Sequence, residues 1–250
     1  MTRRKHHTKR NTLLIITALM CALTYVAYQQ RANIKRWLRI QWKRQTTEVS
    51  HDYNGIDVSS HQKKINWEIV AQNENIEFVY VKITEGTTYQ DRLGQHNIRE
   101  ARRHGLNVGA YHYLTTKSPA KTQFKNFKKQ YCDEANLIPM LDVEERGNFH
   151  DKEWVALAKE MADLMEEEFG VKPIIYTTLA LYNKMLYPTF KDYTIYIGYY
   201  ESTPPHLKGD QRGYLWQYAD VYSIDGIEKA VDQVRFVNMT VDDLLLPYKK

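Results

Sequence analysis

Leu137-Ile138-Pro139-Met140-Leu141-Asp142-Val143-Glu144-Glu145 begins as the apolar run of a strand buried on both faces and ends in carboxylates. Strand side chains alternate faces, so Asp142 and Glu144 point the same way, with Cα atoms about 6–7 Å apart from a rise of roughly 3.3 Å per residue. A parallel strand that is apolar along its length and acidic at its carboxyl end predicts an α/β barrel, whose chemistry sits at that end. Two same-facing carboxylates can divide the work of acid and base, because each raises the other's pKa. The competing reading is that acids merely gather where a strand runs into a loop. The rest of the chain decides between the two.

Outward from this stretch, strand and helix signals alternate. Strands are predicted at Ile56–Ser59, Phe78–Ile83, Val108–Leu114, Pro173–Thr177, Tyr193–Tyr200, Tyr214–Ala219 and Val231–Val237. Helices are predicted at Asn66–Gln72, Asp91–His104 (stopped by Gly105), Ser118–Tyr131, Lys152–Phe169 (stopped by Gly170) and Ala180–Met185. The last three strands have loops between them and no good helices. Regular alternation implies a parallel sheet, and eight strands imply a closed barrel with its last helices missing.

The carboxyl ends of these strands are rich in acids and aromatic rings. Asp57 ends the first strand, and Lys82, Thr84 and Glu85 close the second. Tyr111 and Tyr113 belong to the third, Asp142 and Glu144 to the fourth, Tyr176 to the fifth and Tyr199 to the sixth. Trp216 and Tyr218 lie on the seventh, and Asp232 on the last. Rings around several acids suit a sugar polymer, because sugar C–H faces stack on aromatics and hydroxyls bond to carboxylates. Nineteen Tyr against seven Phe favours rings with a polar handle.

Six blocks together are similar to the glycoside hydrolase family 25 lysozymes. They are Gly55-Ile56-Asp57-Val58-Ser59-Ser60-His61-Gln62 with Ile65-Asn66-Trp67, Val81-Lys82-Ile83-Thr84-Glu85-Gly86, Gly109-Ala110-Tyr111-His112-Tyr113, Leu141-Asp142-Val143-Glu144, Ile175-Tyr176-Thr177 and Leu215-Trp216-Gln217-Tyr218. The resemblance spans about residues 53–237 and implies a TIM-like (β/α)5β3 barrel over 53–240. It also implies hydrolysis of the β-1,4 bond between N-acetylmuramic acid and N-acetylglucosamine in peptidoglycan, with no metal or organic cofactor. By position, Glu144 would be the general acid. Asp142 would orient the substrate's N-acetyl group or stabilise developing positive charge, with Asp57 and Asp232 completing the acidic cluster. Two positions depart from the family pattern. Lys63 stands where Gly commonly follows Gln62, and Val231-Asp232-Gln233-Val234 replaces Val-Asp-Leu-Asn. Asp225, in Ile224-Asp225-Gly226, is an alternative to Asp232 but reads as turn chemistry. A glycan-binding barrel without catalysis, and a hydrolase of another N-acetylated glycan, are the alternative functions.

Charge is unevenly spread. Residues 1–50 hold eleven Lys/Arg and one acid, leaving 24 basic and 29 acidic residues in the remainder. The basic surplus belongs to a tail, which argues against a nucleic-acid-binding fold. Between Arg10 and Arg31 lie twenty uncharged residues, enough helix to rise about 30 Å and cross a bilayer. The expected organisation is a basic cytoplasmic tail (1–10), a transmembrane signal anchor (11–30) and a basic juxtamembrane linker (31–52) ahead of an extracytoplasmic barrel. A cleavable signal peptide, cut near Ala22-Leu23-Thr24, is the alternative. Cys21 and Cys132 have no plausible intrachain pairing, and no Cys/His cluster suggests a metal. Protein partners are not legible.

Overall fold

The computed structural model describes Met20, residues 53–209 and residues 213–247. Met20 apart, the tail, anchor and linker expected over residues 1–52 lie outside the described residues. Among those described, no helix is long and apolar enough to cross a membrane.

Nine strands form one sheet: β1 (Gly55–Val58), β2 (Phe78–Glu85), β3 (Tyr89–Gln90), β4 (Asn107–Tyr113), β5 (Met140–Asp142), β6 (Ile174–Thr178), β7 (Ile195–Gly198), β8 (Tyr214–Tyr222) and β9 (Val231–Val237). Their order is β1-β9-β8-β7-β6-β5-β4-β2-β3, and a further β1–β2 pairing closes eight of them into a barrel. The two-residue β3 is an antiparallel flap on the end of β2. With β3 set aside, the strands from β1 through β8 run parallel around the barrel, whereas β9 is antiparallel to both β8 and β1. That reversal brings the start of β9, not its end, to the carboxyl mouth, and sets Asp232 opposite Asp57.

On the outside lie α1 (Trp67–Val70), α2 (Gly94–Arg103), α3 (Ala120–Gln130), α4 (Asp151–Phe169) and α5 (Leu179–Leu181). A π turn, Tyr182–Leu186, joins α5 to α6 (Tyr187–Phe190). Helix α1 is shorter than predicted, with Asn66 as its cap accepting from the Ile69 amide. The start of α2 moves to Gly94 because Asp91 bonds the Leu93 and Ser60 amides and holds a turn there. Helix α4 ends at Gly170 in the left-handed conformation, φ 70°. Strand β5 is shorter than the apolar run that announced it. Pro139 has no N–H for the ladder, so pairing with β4 begins at Tyr111 and Met140.

Inside the barrel, Phe78, Tyr80, Met140, Ile174, Tyr196, Leu215 and Val234 form one apolar cluster. The floor is sealed by Leu137, Ile138 and Leu244, the last from a short 3-10 turn, Val241–Leu244, beyond the domain boundary expected at 240. Outward-facing Val79, Val81, Val108, Leu141, Ile175 and Ile197 pack in a second cluster that includes Trp154, Met161 and Met165 of α4.

Two predictions arise from the frame. Lys63 has φ 64° and ψ −147°, a region almost reserved for glycine that costs a side-chain-bearing residue about 1–3 kcal/mol. Its ammonium lies 2.8 Å from Glu228 with both side chains more than half exposed, an ion pair worth at most about 1 kcal/mol. Lys63→Gly is therefore expected to stabilise the fold by roughly 1 kcal/mol, after the extra freedom glycine gains in the unfolded chain. A urea midpoint unchanged or lowered would show that position 63 is not strained.

His112 is fully buried on the outer face of β4. Gln123 donates from Nε2 to the Thr115 and Ser118 carbonyls, so its Oε1 accepts from the Thr115 amide and from His112 Nε2. His112 Nδ1, 2.8 Å from Thr84 Oγ1, is then the acceptor of a neutral ring. Burial is the main cause that holds this imidazole down, to about 4. A depressed folded-state pKa gives stability that is present above about 6.5 and lost as pH falls towards 4, here roughly 3 kcal/mol. Asp57, raised by burial to about 6, acts with the opposite sign over nearly the same window. The prediction is accordingly a difference: His112→Gln loses less stability than wild type between pH 7 and 4. Parallel curves in chemical denaturation at the two pH values would overturn it.

Candidate active site

The carboxyl mouth of the barrel collects most of the predicted residues. Along β5 and just past it, Asp142 is 7 % exposed and Glu144 stands exposed at the rim. Burial is the largest cause that raises Asp142 well above the ordinary carboxylate range, followed by the charge of Glu144, with Lys82 opposing. Glu144 is also raised, first by partial desolvation and further by Glu145, again against Lys82. The pair thus retains a proton at a pH where free carboxyls have lost theirs. Oδ1 of Asp142 is buried with no hydrogen-bond partner among the described residues, and Glu144 is the member open to solvent.

Lys82, on β2, bonds Glu85 at 2.7 Å and lies 4.6 Å over the Tyr113 ring and 5.5 Å from that of Tyr89. A bulge between Lys82 and Thr84 lets Glu85 pair with Tyr113 while Thr84 turns to His112. Burial holds the Tyr111 phenol well above the usual range, helped by the charges of Asp57, Asp142 and Asp232 together. These residues make one acidic, ring-lined mouth in which Lys82 is the compensating cation.

Asp57 is the best-bound acid. Its Oδ2 accepts from Tyr196 Oη at 2.6 Å and from Gln217 Nε2 at 2.9 Å. Gln217 Oε1 in turn accepts from Tyr176 Oη and Tyr200 Oη, each at 2.8 Å. Burial still raises Asp57 to about 6, helped by Glu144 and opposed by these two hydrogen bonds. Asp232 faces Asp57 in register across β1 and β9, and its charge is felt by Tyr196 and Tyr200. Asp225 sits in a turn with Gly226 at φ 90°.

Three predicted sugar platforms do not join this cluster. On β8 the side chains of Leu215 and Gln217 face the barrel interior, so Trp216 and Tyr218 face out. Trp216 Nε1 donates to the Tyr199 carbonyl at 2.6 Å, and the Arg235 guanidinium lies 4.2 Å over Tyr218. Tyr199 itself packs on the outer cluster. The residues missed, Tyr196, Tyr200 and Gln217, were available from the same period-two rule applied one residue over: 196, 198 and 200 share a face, as do 215 and 217.

Among the described residues no group of three or more His, Cys, Asp or Glu is arranged to hold a metal ion. What the mouth offers is a proton on a carboxyl pair, an ionised carboxylate beside it, and ring faces with hydroxyls.

That constellation can be set beside known proteins. The sequence model of "Glycosyl hydrolases family 25" matches residues 56–227, a span that takes in Asp57, Asp142 and Glu144 and stops short of Asp232. An uncharacterised protein YegX of Escherichia coli K12 is 32 % identical over 201 residues, covering 78 % of this chain and 73 % of its own. An autolytic lysozyme of Clostridium acetobutylicum is 28 % identical over 182 residues, covering 73 % of this chain and 55 % of its own. The structure of a family GH25 lysozyme from Aspergillus fumigatus superposes with a TM-score of 0.66 at 29 % identity, over 76 % of this chain and 96 % of that one. With the barrel, the carboxyl-end acids and the sequence match in agreement, this chain belongs to glycosyl hydrolase family 25.

Proposed function

We propose that the protein is a muramidase, hydrolysing the β-1,4 bond between N-acetylmuramic acid and N-acetylglucosamine in peptidoglycan. The observation that supports this best is the Asp142–Glu144 pair at the mouth, one member buried and the other at the rim, both raised in pKa. Glu144 donates its proton to the leaving glycosidic oxygen. Asp142, ionised once substrate has drawn the proton to the rim, stabilises the positive charge that develops on the sugar carbon or orients the neighbouring N-acetyl group. Asp57 and Asp232 hold the substrate on the opposite wall. The test is digestion of peptidoglycan by the purified protein with analysis of the new reducing ends. N-acetylmuramic acid ends support the reading. N-acetylglucosamine ends would keep a hydrolase and change the bond, and glycan binding without release would leave a binding module.

We also propose that residues 11–30 are an uncleaved membrane anchor with the barrel on the outer side, where peptidoglycan lies. The support is the uncharged twenty-residue stretch between basic flanks. Within the barrel, moreover, the chain enters at the amino end of β1, so Tyr53 precedes the strand at the end away from Asp57. A tether confines cutting to wall within its reach. Carbonate-resistant sedimentation with membranes, and digestion of the barrel by external protease in spheroplasts, are the expected results. A soluble, shortened protein in the medium would indicate cleavage instead.

A further inference from the structure

We propose that Gln217 is a positioning residue of this site, a clamp that commits one oxygen of Asp57 to the protein and leaves the other for the sugar. The inference rests on the muramidase reading for its activity readout. Oδ2 of Asp57 takes both protein hydrogen bonds, from Tyr196 and Gln217, and Oδ1 takes none from the described residues. A glutamine alone could turn its amide either way. Here Tyr176 and Tyr200 both bond Oε1, and the opposite flip would set that oxygen against the Asp57 carboxylate. The amide is therefore held with its N–H towards Asp57.

The backbone is fitted to this clamp. Gly198 pairs with Gln217 across β7 and β8, and a Cβ there would lie 2.8 Å from Tyr176 Oη and 3.3 Å from Gln217 Oε1. Only glycine leaves the tyrosine–glutamine bond its space. The charges around Asp57 are Glu144 and Asp142 from the β5 side and Asp232 from β9, with Lys82 of β2 acting on the Asp142–Glu144 pair. The phenols at 176, 196 and 200, raised well above their usual range by burial and these acids, stay neutral donors throughout the working range.

Gln217→Glu tests the clamp. A protonated glutamic acid copies the amide, its hydroxyl donating to Asp57 and its carbonyl accepting from the tyrosines, whereas the ionised form repels Asp57. The variant's kcat/KM on peptidoglycan is expected to approach wild type at the acid end and to fall about 10-fold or more below it as pH rises. Gln217→Leu should lose a similar factor at every pH, mainly in kcat. Tyr200→Phe, which removes one of the two restraints and no charge, should lie between and serves if the Gln217 variants fail to fold. A Gln217→Glu profile that is parallel to wild type would overturn the proposal, as would a folded variant with no acid recovery. Should wild type release no reducing ends, the function reading fails. The clamp is then judged by the carbon-13 carboxyl titration of Asp57, which must move upwards from about 6 in Gln217→Leu; an unmoved titration would overturn it.

Discussion

Glu144→Gln is expected to lower peptidoglycan hydrolysis by a factor of about 10² to 10⁴, the range that a positioned general acid supplies. The side chain keeps its size and stays at the rim, but an amide has no proton to give the leaving oxygen. Two further effects separate this loss from damage to the fold. Glu144 charge contributes to raising Asp57 to about 6, so the acid limb of the residual activity should move to lower pH. The alkaline limb reports loss of the proton that Glu144 carries as general acid, so in the amide variant that limb should flatten or vanish. A pH profile of kcat/KM for variant and wild type measures both. A variant with the wild-type bell merely scaled down would remove Glu144 from the proton transfer.

Much of this was legible in the chain. The strand count, the closing of the sheet and the acids at its carboxyl end follow from apolar runs that end in Asp57, Glu85 and Asp142. Less legible was direction. β9 reads like any other strand, and only tertiary pairing turns it antiparallel and carries Asp232 to the mouth. For the aromatic rings, residue kind alone does not give the face. Trp216, the bulkiest ring in its block, reads by kind as a sugar platform, yet the period-two rule puts it outside and the modest Gln217 inside. Tyr199 and Tyr200 were separable only by the phase of β7, which Gly198, a residue with no side chain to betray its direction, interrupts. Lys63 shows the converse. Its departure from the family's glycine looked like a loss of information, but the backbone keeps glycine's geometry with lysine in place.

Asp142→Asn is expected to move activity and stability in opposite directions. Activity should fall by about 10² or more, since on the proposed mechanism the carboxylate that meets the developing positive charge or the N-acetyl group becomes a neutral amide. Stability at neutral pH should rise by roughly 2 kcal/mol, because a carboxyl buried without a full set of partners must either hold its charge there or take up a proton that the unfolded chain has released. The sign follows from linkage. Asp142 has a folded-state pKa raised by burial and by Glu144; such a group contributes stability below its unfolded pKa and loses it as pH rises through the folded one. The stabilisation by Asn should therefore be large at pH 7 and shrink towards pH 3, where the native carboxyl is protonated in both states. Paired denaturation curves at the two pH values measure this. If the variant is less stable at pH 7, the carboxylate is a structural requirement and its raised pKa has been misassigned. If it is more stable yet inactive, the fold is carrying an unfavourable group that only the chemistry of the site uses.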